Sequence, residues 1–247
     1  MQYEMMFPEQ IRCAIKESWP IVLPIGVLEY HSEHCVLGVD TLVIIKAMEL
    51  LQKEINIVVL PPFYYGSVSY AVAPPEMNGS IHIDSSVVHS IAREMFQALL
   101  RVGFRNIHGF VHHQSENFTA GMPTDLAFKF AARQAIFSFL EKERGEGWWG
   151  KEGMQNYYKQ HDEGSDPFSW IQIHPFMNQV SMCNFPADHA GKQETSLMMA
   201  LCPEGVDMKR HNKEHWYAHS AKDAAKEYGD RAKAEILNGL RKILSKK

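Results

Sequence analysis

Ile21-Val-Leu-Pro-Ile-Gly-Val-Leu28 is a run without a single polar side chain, and it gives way at once to Glu29-Tyr-His31-Ser-Glu-His34. A strand this uniformly apolar has no face to offer water, so it must lie in a sheet covered on both sides. Ile57 to Leu60 is a second such run, stopped by Pro61-Pro62, and Arg105 to Val111 reads as a third. Between these runs the period changes to that of a helix. Thr41 to Leu51 follows Asp40 as a candidate N-cap, and Asp84 to Val102 carries Val87, Val88, Ile91, Met95 and Leu99 before a Gly103 stop. Thr119 to Glu141 reads as helix, Leu197 to Leu201 as part of another, and the last helix is expected from Lys209 to Leu244. Strands alternating with helices imply right-handed crossovers and hence an α/β fold, a three-layer αβα sandwich with a mainly parallel central sheet.

A chain of 247 residues, 45% hydrophobic and 22% charged, suits one soluble domain spanning residues 1–247. The odd stretch is 141–166, rich in glycine and charge yet carrying Trp148, Trp149, Tyr157 and Tyr158, and it reads as an inserted loop with weak order of its own. A net charge of −4, with basic residues clustered only in the tail Arg241, Lys242, Lys246 and Lys247, argues against nucleic acid as a partner. The apolar run ending at Leu28 is too short to cross a bilayer and is broken by Pro24, so no membrane span is expected. The opening Met-Gln-Tyr-Glu has no secretory pattern, and Cys13, Cys35, Cys183 and Cys202 form no C-x-x-C pair, so a cytoplasmic protein with reduced thiols is expected.

In parallel sheets, ligands sit beyond the carboxyl ends of the strands. Two clusters fall there. Glu29 and His31 are two apart and share a direction in extended chain, and Asp40 returns nine residues after His31. Carboxylate, imidazole and carboxylate make the mixed O/N donor set that suits Zn²⁺, Mn²⁺ or a similar ion, although a polar loop with a helix cap would look alike. The second cluster, His112-His113-Gln-Ser-Glu116-Asn117, follows the third strand, where satisfied structural histidines are the alternative. His211, His215 and His219 would share one face of the last helix, but no carboxylates accompany them, which leaves a solvated or subunit-facing stripe.

The first cluster with its continuation, Glu29-Tyr-His31-Ser-Glu-His34-Cys-Val-Leu-Gly-Val-Asp40-Thr41, resembles the creatininase family pattern E-x-H-G-x-H-L-P-L-x-x-D-T. Further landmarks follow in order. Pro62-Phe-Tyr-Tyr65-Gly66 resembles the family's P-x-x-Y-G, Asn78-Gly79-Ser80-Ile81 its P-G-T-I, Asp188-His189-Ala-Gly191-Lys-Gln-Glu194-Thr195-Ser196 its H-A-G-x-x-E-T-S, and Ala224 to Gly229 its closing A-T-A-E-x-G. The third-strand motif departs from the family's N-G-H-x-E-N by one extra residue between His113 and Asn117.

This resemblance implies a creatininase-like fold and two divalent ions, Zn²⁺ and/or Mn²⁺. Glu29 and His113 would hold one ion and His31 the other, with Asp40 bridging both and His34 in support. Glu194 is favoured as the last carboxylate, with Glu116 as the alternative through a local bulge. His189 would transfer protons and Asp188 would orient it, while Tyr65 and Ser80 would face a small-molecule substrate. The implied activity is water attack on the carbonyl of a small cyclic amide or formamide. The alternatives are carbon–carbon hydrolysis of an inositol-derived cyclic diketone, or a metal-binding subunit without catalysis. The family also implies a hexamer in which tryptophans help to close the site, so 141–166 is expected to return over the metal edge with Trp148 and Trp149 on substrate, on a neighbouring subunit, or on its own core.

Overall fold

The structure, a computed structural model, describes residues 1–245. Four parallel strands form the sheet, β1 (Ile21–Ile25), β2 (Val58–Val59), β3 (Ile107–Val111) and β4 (Ile171–Pro175), in the order β2-β1-β3-β4. Helices α1 (Pro8–Lys16), α2 (Val39–Leu51), α3 (Ser85–Val102), α4 (Pro123–Arg144), α5 (Tyr157–Glu163), α6 (Gln179–Asn184), α7 (Lys192–Leu201) and α8 (Lys226–Leu244) complete it. Alternation along β1 makes two cores. Ile21, Leu23 and Ile25 pack with α3 and α4, whereas Val22 packs with α2, α7 and α8. This is the expected sandwich.

Pro24 lies in an inner strand, where a missing N–H usually disqualifies it. Its carbonyl accepts from Phe63 N, so its nitrogen also faces β2, which has already ended at Val59. No ladder bond is lost. β1 stops at Ile25 because the chain must then pass the start of α2: a Cβ on Gly26 would meet Thr41 N at 2.6 Å and the Asp40 carbonyl carbon at 2.7 Å. That close approach brings Asp40 to the end of β1. Asp40 lies within the first turn of α2, behind Gly38, and does not cap it. Asp84, by contrast, caps α3 by accepting from Ser86 N.

Two expectations fail. The segment 141–166 is ordered: α4 runs to Arg144, then come 3₁₀ turns at Trp148–Gly150 and Glu152–Met154, and then α5. Its aromatics supply the order that its glycines lack, since Trp148 is only 7% exposed and joins the core beneath α4. Nor does the segment return over the metal edge. It folds back on the end of α4, where Arg144 donates to Met154 Sδ at 3.0 Å and lies 5.8 Å from the centre of the Trp148 ring. The second failure is the last helix, which begins at Lys226 and not at Lys209. Met208–Arg210 and Trp216–Asp223 are 3₁₀ turns, the first capped by Asp207, whose carboxylate accepts from Lys209 N, and Ala225 is extended. His211, His215 and His219 therefore share no α-helical face.

Trp148→Ala should remove a core ring and cost about 3–5 kcal/mol of stability, leaving metal content of the folded protein unchanged. Urea unfolding with elemental analysis checks this, and loss of metal from a variant of wild-type stability would contradict it.

Candidate metal centre

The two clusters converge at the carboxyl ends of β1 and β3. Glu29, His31, Asp40, His113 and Glu194 are all buried, and their donor atoms form two overlapping groups. Glu29, Asp40 and His113 make one and His31, Asp40 and Glu194 the other, with the donor atoms of each group within 4.8 Å of one another. His189 forms a third group with Glu29 and His31.

Each histidine has one nitrogen tied to a backbone carbonyl and the other turned inward. His31 Nδ1 donates to the Glu29 carbonyl at 2.9 Å, His113 Nε2 to that of Ser67 at 3.3 Å, and His189 Nε2 to that of Tyr30 at 2.9 Å. Such outer bonds fix tautomer and ring orientation in metal-ligating histidines. Each of the three is also followed by a left-handed residue, Ser32 (φ 58°), Gln114 (φ 52°) and Ala190 (φ 51°), which turns the chain away from the site. A side chain held there costs of the order of 1 kcal/mol or more, so the packing around these turns must impose it.

Three of the four inner distances are long for hydrogen bonds and match the spacing of atoms around one ion. His31 Nε2 lies 3.4 Å from Asp40 Oδ1 and 3.6 Å from Glu194 Oε2, and although fully buried it has no hydrogen-bond partner among the described residues. His113 Nδ1 lies 3.2 Å from Asp40 Oδ2 and 3.6 Å from Glu29 Oε2. Atoms held about 2.1 Å from one ion at tetrahedral angles stand about 3.4 Å apart. Charge points the same way. Burial pushes Glu29 up to about 7 and Glu194 up to about 8, with the Asp40 charge adding to both. Burial would also raise Asp40, but its hydrogen bond with His113 and the charge of His31 and His113 outweigh that and hold this carboxyl well below the usual range. Burial lowers His31, yet Asp40 and Glu194 carry it to about 10. Without cations Glu29 and Glu194 keep their protons up to about neutral pH, and bound cations would displace them.

Residues 4–239 match the family model Creatininase, described as creatinine amidohydrolase. The chain belongs to the creatininase family. It is a hydrolase, and metal binding is part of its equipment. The curated creatinine amidohydrolase of Pseudomonas putida is 25% identical over 192 residues, 77% of this chain and 67% of that protein. Among solved structures, a creatinine amidohydrolase (creatininase) superposes with a TM-score of 0.67 at 18% identity, covering 97% of this chain and 94% of the other. A structure described as creatininase Mn has a TM-score of 0.70 at 17% identity, covering 99% and 98%. A mutant creatininase of Zn-Zn type has the same score, identity and coverage.

Other residues singled out in this creatininase-family sequence fall into different places. Glu116 is exposed at the cavity rim and joins none of the donor groups. Asp188 does not hold His189: its carboxylate accepts from Gln193 N at 2.7 Å and Glu194 N at 3.1 Å, capping the helix that carries Glu194. Ser80 accepts from Tyr30 N at 2.8 Å and so fixes the loop that holds His189. Tyr65 is exposed, and neither it nor Trp148 nor Trp149 lines the cavity beside the cluster. Trp149 packs instead against the edges of Tyr157 and Tyr158. His34 lies 3.0 Å from Thr195 Oγ1, behind Glu194, and burial pushes it down to about 4.

Sequence reasoning missed the clamp behind His189. Asn212 Oδ1 accepts from Glu214 N at 2.9 Å, so its Nδ2 donates to His215 Nε2 at 3.1 Å. The ring proton of His215 is thereby on Nδ1, where it donates to Ser32 Oγ at 2.9 Å. His215 is thus no base for Ser32, but a support for the loop that follows His31. Tyr217 lies beside the same ring and meets His189 edge-on, with centroids 5.5 Å apart. Only the short interval from His211 to Tyr217, rich in polar aromatics, hinted at this role.

Proposed function

We propose that the chain is an amidohydrolase with a dinuclear site, which adds water across the carbonyl–nitrogen bond of a small cyclic amide or formamide. The observation that carries this reading is the pair of donor groups sharing Asp40, flanked by a histidine whose inner nitrogen is free. Glu29 and His113 would hold one divalent ion, His31 and Glu194 the other, and Asp40 would bridge them. Bound there, Zn²⁺ or Mn²⁺ would polarise the carbonyl and acidify water.

The protein's own groups supply the remainder. His189 Nδ1 stands 4.0 Å from Glu29 Oε2, beside the first donor group, while Nε2 keeps its proton on the Tyr30 carbonyl. Burial pushes this imidazole down to about 4, so it enters neutral, with Nδ1 able to accept a proton from the attacking water. The same proton then goes to the nitrogen as the C–N bond breaks. His189 is stacked on His31 at 4.4 Å between centroids, which limits its swing. Cleavage of a carbon–carbon bond finds no support among the relatives, since the curated one is an amidohydrolase.

Metal-loaded protein offered creatinine, other lactams and formamides should hydrolyse at least one, lose activity on chelation and regain it with Zn²⁺ or Mn²⁺. Turnover undiminished in metal-stripped protein would overturn the reading. A homo-oligomer, a hexamer by the family resemblance, fits the apolar surface that Phe130, Phe137 and Trp149 leave exposed, and sedimentation of the native protein tests it.

Metal affinity should depend steeply on pH. Carboxyl groups raised to about 7 and about 8 bind protons more tightly in the metal-free fold than in the unfolded chain, so that fold loses stability as pH rises through this range. An ion must displace those protons. Apparent Zn²⁺ affinity should therefore weaken as pH falls from 8 to 6, by up to about tenfold per unit for each proton displaced. Competition with a chelator of known affinity measures it, and a flat profile would contradict the proposed ligand set.

A further inference from the structure

The cavity beside the donor groups has a volume of about 330 Å³, enough for a small ring. Its walls differ in kind. Val68, Ala71 and Val72 are apolar, and Met177 and Met182 are apolar and adaptable. Carboxyl groups line the cavity, but no lysine or arginine does among the described residues. Beyond the ions themselves, nothing there welcomes a carboxylate or phosphate.

Three lining side chains carry a buried polar atom without a hydrogen-bond partner among the described residues, His112 Nε2, Gln114 Oε1 and Gln193 Oε1, and of these Gln193 is the one next to Glu194 in the chain. Gln193, the second residue of α7, is 2% exposed, and its Nε2 donates to Met177 Sδ at 3.3 Å. Its Oε1 is buried with no hydrogen-bond partner among the described residues. The opposite amide orientation would lose even the bond to sulfur, so the oxygen is the unpaired atom. A buried acceptor left unpaired costs about 1–3 kcal/mol, and a glutamine without a ligand gains nothing there over an apolar residue. Gln193 is also the chain neighbour of Glu194. Both line this one cavity, so a small ring bonded to the Gln193 side chain would lie close to whatever Glu194 holds.

We propose that Gln193 determines specificity, its side-chain oxygen accepting an N–H of the substrate, and that the substrate is a small uncharged cyclic amide bearing an N–H close to its scissile carbonyl. This rests on the amidohydrolase reading and adds the group by which the ring is recognised. Methionine is close in length and lacks the acceptor, so Gln193→Met removes the contact while filling the space. The probes are 1-methylhydantoin, which has a ring N–H between two carbonyls, and 1,3-dimethylhydantoin, which has a methyl there.

Calorimetry on metal-loaded protein should show the N–H compound binding at least tenfold tighter in the wild type. In Gln193→Met the difference should collapse, with metal content and binding of the dimethyl compound unchanged. A preference that survives in the variant, no preference in the wild type, or no binding of either probe would overturn the assignment. Hydrolysis of the amide panel is scored separately, so failure of the amidohydrolase reading appears as absent turnover whatever the binding ratio shows.

Discussion

Asp40→Ala should lose both metal equivalents and all measurable turnover, the largest effect expected of any single substitution. Asp40 belongs to both donor groups and lies 3.4 Å from His31 Nε2 and 3.2 Å from His113 Nδ1. In the proposed site its removal would leave each ion with two protein ligands and two buried imidazoles without their carboxylate. Since Asp40 is buried in the first turn of α2, Asp40→Asn serves as the control for folding: it keeps the shape and loses the charge. Both variants should remain folded in urea titration and bind less than a tenth of an equivalent of Zn²⁺ after desalting. Retention of one tightly held ion would show that Asp40 serves one site only.

His189→Ala should behave in the opposite way, retaining metal and losing about 10²–10⁴-fold in kcat. The ring is only partly buried, with 26% of its side chain exposed, so truncation opens space at the cavity wall and leaves α2, β1 and β3 in place. KM should change little, because proton transfer acts in the transition state and not in substrate binding. If the variant lost one equivalent of metal instead, the group formed by Glu29, His31 and His189 would be a third ligand set, and the proton-transfer role would be wrong.

The sequence shows some parts of this fold and site directly and conceals others, and physical reasons separate the two. The inner strands are legible because burial on both faces leaves no polar residue in Ile21 to Ile25. Glu29, His31, Asp40 and His113 are legible because strand ends and spacing place them together. The stop at Gly103 is legible as well, with φ at 124°. The interval 208–223 misleads because its histidines recur every four residues by coincidence. Its actual order comes from bonds such as Asn212 to His215, which no periodicity reports. Trp148 misleads because a glycine-rich stretch suggests exposure, yet Trp148 and Met154 are buried in the core under α4 and Tyr157 packs against it.

Asp188 shows a different limit. Beside His189 in a motif it looks like a partner in catalysis, whereas its oxygens cap α7 and thereby aim Glu194. A capping carboxylate and an orienting one have the same sequence signature, and only the direction of the side chain distinguishes them. Gln193 is hidden for the same reason, since its unpaired oxygen is a property of packing.

Crystals of the metal-loaded protein, with anomalous difference maps collected at the zinc and manganese edges, test the central claim most directly. Two peaks should appear on either side of the Asp40 carboxylate, one bounded by Glu29 and His113, the other by His31 and Glu194. A single peak, or a second peak liganded by Glu116 in place of Glu194, would contradict it.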